Sequence, residues 1–232
     1  MFDNILASEN VQEAISILQT EFPLAIWETF YVTILSTFFA SIIGLPLGVL
    51  VTVGSKDGIL PLPKWLMTFL DVVINLLRSV PFLILMIMVI PLTRLIVGTP
   101  VGTVASIVPL TIAAFPFIAR LVESSLREVS PNIIEAAQSM GATPFQIIVK
   151  VLIPESVPSL ISNATIAITT VLGYSAMSGI IGGGGLGKIA INYGYYRYKT
   201  LVMILAVILL IIMVQVFQSL GTYLVKKLDK RS

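Results

Sequence analysis

Little in this chain can do covalent chemistry. Among its 232 residues there is no histidine and no cysteine. That removes the usual general base, the commonest metal ligand and the thiolate nucleophile. The spacing nearest to a reactive motif is Gly182–Lys188, GGGGLGK. It fits both G-x-x-x-x-G-K and G-x-G-x-x-G, patterns whose backbone N–H groups cradle phosphates. A phosphate loop would need Ser or Thr after the lysine to hold magnesium, and Ile189 stands there. It would also have to follow a strand of an α/β unit, and nothing before it reads as a strand. Gly182, Gly183, Gly184 and Gly185 read instead as a flexible hinge or a tight re-entrant bend. Irregular backbone at membrane depth is tolerated only where protein or a water-filled cavity covers it. The sequence leads us to expect no catalytic residue, no metal ligand set and no cofactor.

Composition sets the frame for everything else. Hydrophobic residues make up 56% of the chain and charged residues 11%, with a mean hydropathy of +1.00. A soluble domain carries roughly 25% charged residues, so this is an integral membrane protein. A net charge of +2 on so apolar a chain does not suggest nucleic-acid binding. No basic segment precedes an early apolar run, so no cleavable signal is expected. A spanning helix takes about 20 apolar residues, which leaves room for about five spans and for no domain able to hydrolyse a nucleotide.

The expected fold class is all-α, with five transmembrane helices. Residues 1–26 carry Ile5, Leu6, Val11, Ile15 and Leu18 at helical spacing among acidic residues, an amphipathic helix on the membrane surface. The body runs over residues 27–225, and a basic tail covers 226–232. The first span runs from about Thr29 to Val53, interrupted by Gly44, Pro46 and Gly48, a place for a kink or a close helix contact. The second runs from about Trp65 and breaks at Arg78-Ser79-Val80-Pro81, then resumes as a helix to about Val97. The third covers about Val104–Leu121, the fourth Ser159–Ile181 and the fifth Leu201–Val225. Arg120, Arg127, Lys150 and the tail lie on one side, and the first link, with Lys56 and Lys64, shares it. The positive-inside rule makes that side cytoplasmic and the N-terminus external, against Lys188, Arg197 and Lys199 in the last link.

Between the third and fourth spans lies a two-helix loop, residues 130–158. Ser130-Pro131 reads as an N-cap followed by proline at the first helical position. Gly141 fits the left-handed position after a helix. Thr143-Pro144 repeats the start signal, with Gln146 at capping-box spacing. Pro154 and Pro158 bracket the exit. Ile133, Ile134, Ala137 and Met140 should form one apolar face, and Phe145, Ile148, Val149 and Leu152 the other. Each face must be buried against something.

The fourth span carries a polar stripe. Ser162, Thr165 and Thr169 share a face, with Asn163 and Thr170 beside it. Two readings fit: hydrogen-bond glue between helices, or the wall of a solute path. Tyr174 and Met177 follow near the far end, and Met177 suits an apolar gate or core packing equally. Arg78 has Asp71 within reach along its helix, and Arg120 has Glu123 and Glu128. The cluster Asn192–Tyr198 reads as an interfacial aromatic belt or a docking surface for an external partner.

The loop carries a resemblance. Glu135-Ala136-Ala137, Gly141 and Ile153-Pro154 resemble the EAA loop of the permeases of type I ABC importers, a cytoplasmic coupling helix that sits in a cleft of the ATP-hydrolysing subunit. Arg78-Ser79-Val80-Pro81-Phe82, Gly141-Ala142-Thr143-Pro144, Val151–Glu155, Gly173–Met177 and Gly184–Gly187 with the following Tyr-Gly-Tyr resemble the methionine-import permease subfamily. The resemblance covers about Trp27 to the end of the fifth span. It implies that Glu135, Ala136, Ala137, Gly141, Thr143 and Pro144 couple the chain to an ATPase. It implies a homodimer of this chain in the bilayer, two copies of a cytoplasmic ABC ATPase subunit, and an external solute-binding protein or lipoprotein. The setting would be a bacterial plasma membrane. The same class serving another amino acid or a small peptide is the nearest alternative. An ion-driven carrier would need intramembrane carboxylates, and Asp71 is the only acidic residue in an expected span. A membrane scaffold would leave the polar stripe and glycine turn without a purpose.

Overall fold

The computed structural model describes residues 9–228, and all its regular elements are helical. Ile5, Leu6, Lys230 and Arg231, used in the sequence reading, lie outside the described residues, and so does the side chain of Val11. The helices are α1 Glu9–Thr20, α2 Phe22–Val53, α3 Lys64–Ser79, α4 Phe82–Met88, α5 Ile90–Val97, α6 Ile107–Arg127, α7 Pro131–Ser139, α8 Pro144–Ile147, α9 Ile153–Ser178, α10 Gly185–Ile189 and α11 Thr200–Leu228. Four helical stretches are long and apolar enough to cross a membrane: Phe22–Val53, Ile107–Arg127, Pro144–Ile181 and Thr200–Leu228. A fifth candidate is α3 with α4, bent by 106°.

Three boundaries differ from the sequence reading, each for a local reason. The first span starts at Phe22 rather than Thr29, so Glu28 lies inside it. It runs unbroken through Pro46. The break at Val80-Pro81 is a sharp turn rather than a kink. Val80 is extended, with φ −76° and ψ 127°, as a residue before proline prefers. The fourth span has no separate start, because α8 passes into α9 through a π-helical turn, Ile148–Leu152. The Ile153 N–H reaches back five residues to the Ile148 carbonyl. Pro154 lacks an N–H, and its ring would crowd the carbonyl four residues back in a regular helix. The wider turn makes room for it. Pro154 and Pro158 therefore sit within a helix and do not bracket an exit.

The chain divides into two compact units. Of the described residues, the first comprises 9–37, 82–111 and 168–217. Its core joins Ala14, Ile17, Phe22 and Ala25 to Leu186, Ile189, Val202 and Ala206. The face of α1 that packs on the protein's own α10 and α11 is Ala14 and Ile17, whereas Ile15 and Leu18 of the expected apolar stripe are exposed. Glu13 pairs with Lys199, and the Tyr193 hydroxyl donates to Glu21. Phe30 stacks on Phe217 at 6.0 Å.

The second unit comprises, of the described residues, 38–81, 112–167 and 218–228. Here small residues let helices approach closely, the usual device where lipid replaces water as the competing solvent. A Cβ on Gly48 would lie 2.5 Å from the Ala119 carbonyl oxygen and 2.6 Å from Val122. One on Gly44 would meet the Phe115 carbonyl oxygen at 2.8 Å. Of the two readings of these glycines, close contact is what α2 and α6 make. Gly221 of α11 faces Thr165 in the same manner.

Gly48→Val should therefore destabilise the chain by about 1–3 kcal/mol or more, because backbone on α6 cannot yield to the added atoms. Gly173→Ala, where a Cβ meets nothing within 4 Å, should be neutral or stabilising. Thermal unfolding of the two purified variants in detergent separates these outcomes.

Candidate functional site

The hairpin of α7 and α8 is fixed at both of its inner ends by backbone chemistry. Gly141 has φ +80°, a conformation that a residue without Cβ adopts freely. Its N–H donates to the Gln138 carbonyl at 2.9 Å, and the Ala142 N–H donates to the Ala137 carbonyl at 3.1 Å. These two bonds form a Schellman motif. Two residues later Thr143 opens α8 with a full capping box. The Gln146 N–H donates to Thr143 Oγ1 at 3.4 Å, and the Thr143 N–H donates to Gln146 Oε1 at 2.9 Å. Pro144 takes the first helical position, where no N–H is needed. Ser130 stands at the N-cap of α7, but its side chain makes no capping bond.

The apolar faces divide differently from the expected stripes. Ala137, Ile147 and Leu152 turn inward and are buried. Met140, 80% exposed, and Phe145, 73% exposed, turn outward with Ile133 and Val149. Helical spacing grouped Met140 with Ala137, but Met140 is the cap residue where the helix has already ended. Glu135 and Ala136 are exposed. The Glu135 side chain borders a cavity of about 330 Å³ shared with Asp57, Arg127 and Gln138. A Cβ on Gly141 would meet nothing within 4 Å, so only the backbone conformation calls for glycine there.

The polar stripe of α9 splits into two groups. Asn163 Nδ2 donates to the Leu121 carbonyl at 3.1 Å and to Ser125 Oγ at 2.7 Å. Ser159 Oγ lies 3.2 Å from Ser125 Oγ. Thr165 donates to the Ile161 carbonyl and packs on Gly221. Asn163 thus does the work of hydrogen-bond glue between helices, while Thr165 bonds to its own helix and packs closely on Gly221. Ser162 is exposed, and with Asn163, Ser159 and Glu128 it borders a polar cavity of about 420 Å³. Thr169, Tyr174 and Met177 belong to the first unit. Thr169 is half-buried. Tyr174 stacks on Phe82 with centroids 4.4 Å apart and planes 6° from parallel. Met177 is exposed.

Gly182–Gly185 form a tight bend held by side chains from elsewhere. Gly182 and Gly185 have φ +86° and +78°. The Gly185 N–H donates to Glu28 Oε2 at 2.7 Å, and the Leu186 N–H to Thr29 Oγ1 at 2.9 Å. Glu28 Oε1 accepts from the Thr103 hydroxyl at 2.7 Å. Sequence reading missed Glu28 because the first span was started one residue after it. Beyond the bend, the Tyr193 ring lies under Arg197 at 4.7 Å. The hydrogen bond from Tyr193 to Glu21, with burial and the charge of Glu21, holds the phenol above its ordinary pKa against the pull of Arg197.

A charged network joins α3 to α6. Arg120 donates to Asp71 at 2.7 Å, to Glu123 at 2.5 Å and to Asn75 at 3.2 Å. Glu123 also pairs with Arg127 at 2.9 Å. Glu123 is the partner expected for Arg120. Asp71 had been expected to serve Arg78, within its own helix, but it serves Arg120 across to α6. Arg78 is exposed and forms no ion pair among the described residues. Among the described residues no group of three or more acidic side chains is placed to hold a metal.

Long apolar helices, a sharply bent helix pair and a helical hairpin whose outer apolar side chains are exposed among the described residues describe a helical membrane protein. The family model described as "Binding-protein-dependent transport system inner membrane component" matches residues 44–230, and the chain belongs to that family. It is 51% identical over 208 residues to the probable D-methionine transport system permease protein MetI of Vibrio cholerae, covering 89% of this chain and 92% of that protein. It is 46% identical over 208 residues to the protein of the same description from Pasteurella multocida, covering 90% and 95%. Its fold matches a chain of the MetNI methionine ABC transporter, solved in inward-facing conformations, with a TM-score of 0.89 and 45% identity over 92% of this chain and 98% of that one.

Two outcomes follow from the geometry. Thr143→Ala removes one side of the capping box and should cost about 1 kcal/mol, read as a drop in thermal stability. A double-mutant cycle on Asp71→Ala and Arg120→Ala should show a coupling of about 0.5–3 kcal/mol. The same cycle on Asp71 and Arg78 should show none.

Proposed function

We propose that the chain is the membrane permease subunit of an ATP-driven methionine importer and that α7 and α8 are the element through which an ATPase drives it. The observation that carries this is the continuity of the helix from Pro144 to Ile181. The exposed Met140 and Phe145 offer an apolar surface that no described residue of this chain covers. A partner gripping them moves a rigid piece, since both helix ends around Gly141 and Thr143 are closed by hydrogen bonds. That movement passes into the spanning helix with no loop to absorb it.

In this reading the hairpin and the C-terminus are cytoplasmic and the N-terminus external. Two copies of the chain form the path, residues 27–225 are the transmembrane domain, and two copies of an ABC ATPase subunit hold the hairpins. ATP-driven closure favours the outward-open bundle, which takes solute from an external binding protein, and hydrolysis returns it inward. Each ligand shifts the two states only by its differential affinity for them. Ser162, with Asn163 at its side, borders the path at one level. Thr169, Tyr174 and Met177 border it at another, where Met177 serves as a gate. Gly182–Gly185 set the bend that anchors the outer end of α9. The relatives at 51% and 46% identity are named for D-methionine, which supports methionine as the solute.

Reconstituted with its ATPase subunit and binding protein, the complex should take up methionine after collapse of ion gradients. It should stop with a hydrolysis-dead ATPase. Gly141→Glu should leave assembly intact, because the added side chain has open space. The left-handed backbone would be strained by about 1–2 kcal/mol. Uptake should be lost while solute binding to the external protein is unchanged. Normal uptake by this variant would sink the coupling role of the turn.

A further inference from the structure

The cavity beside Glu28 has no part in the coupling just described, yet it is bordered by charges of both signs. Its volume is about 260 Å³, and its lining includes Glu21, Leu24, Glu28, Lys188, Asn192 and Tyr193. Both carboxylates are oriented without being neutralised. Glu28 accepts from the Thr103 hydroxyl and from the Gly185 N–H, each at 2.7 Å. Glu21 accepts from the Tyr193 hydroxyl. Neither forms an ion pair among the described residues, and Lys188, exposed on the same cavity, forms none either.

Opposite charges that border one hollow without meeting call for a ligand carrying both signs. A primary ammonium satisfies the two carboxylates with charge-assisted hydrogen bonds, and an anionic oxygen group reaches Lys188. The Asn192 amide offers a donor and an acceptor to either end. A simple anion would face two carboxylates, and a metal dication would face Lys188. Leu24, 62% exposed, gives the ligand an apolar exit on the outside of a spanning helix. We infer that this cavity binds a zwitterion with a primary ammonium and an anionic oxygen group. That is the chemistry of an aminophospholipid headgroup and also of a free α-amino acid. The inference goes beyond the transport reading and stands whatever solute the complex carries.

The test uses the purified full chain with its co-purifying subunits. One arm measures retention of phosphatidylethanolamine against phosphatidylcholine in nanodiscs of mixed composition. The other measures equilibrium binding of radiolabelled methionine in nanodiscs of phosphatidylcholine alone, without an external binding protein. We expect one probe to bind saturably. Lys188→Ala and Glu28→Gln should each weaken it at least about tenfold, and Lys188→Arg should restore it. Glu28→Gln keeps an acceptor for the Gly185 N–H, and its amide nitrogen can donate to the Thr103 hydroxyl, so the bend should survive. Selective retention of phosphatidylethanolamine identifies the lipid, and methionine binding identifies the amino acid. Binding of neither probe overturns the inference, as does binding that both variants leave at the wild-type level. Uptake by the reconstituted complex, measured alongside, reports on transport separately.

Discussion

Inside a bilayer a backbone N–H that leaves its helix has no water to turn to, and that constraint bears on the irregular points at the two ends of α9. Where Gly182–Gly185 leave the helical path, Glu28 and Thr29 of α2 supply the missing acceptors. Where Pro154 removes a donor, a π-helical turn shifts the bonding register by one residue. Glu28 is thus needed at the bend before any thought of function, because a buried turn without it would leave an amide unpaired.

Packing works under the same absence of water. Lipid tails compete with side chains on equal terms, so close approach and polar contacts hold helices together. Gly44 and Gly48 bring α2 onto the backbone of α6, and Arg120 ties α6 to α3 through Asp71 and Asn75. The apolar surface of α11 remains largely open, with Ile204, Ile208, Ile211 and Leu220 all exposed. A water-soluble protein would have to hide such a surface. Here lipid or a second subunit is an acceptable neighbour.

Much of this was legible in the sequence, and the reason is chemical. Proline, glycine and capping residues act within a few positions of themselves, so the hairpin, the break at Pro81 and the left-handed Gly141 could all be read directly. Periodicity failed where two elements merge. It placed Pro154 and Pro158 outside a helix, because no pattern of side chains announces a π turn. It paired Asp71 with Arg78 by spacing along one helix, whereas the actual partner, Arg120, is 49 residues away. It set the start of the first span at Thr29 and so left Glu28 out of the helix. Spacing singled out Ile15 and Leu18 of α1, which are exposed, and missed Ala14 and Ile17, which the protein's own α10 and α11 cover.

The turn at Gly141 has one more consequence. Empty space surrounds the point where a side chain would project, so what the position selects is handedness and not size. A D-alanine introduced there by semisynthesis would sit comfortably at φ +80°, while L-alanine, the same atoms in mirror image, would not. The signature glycine of this loop is a statement about chirality.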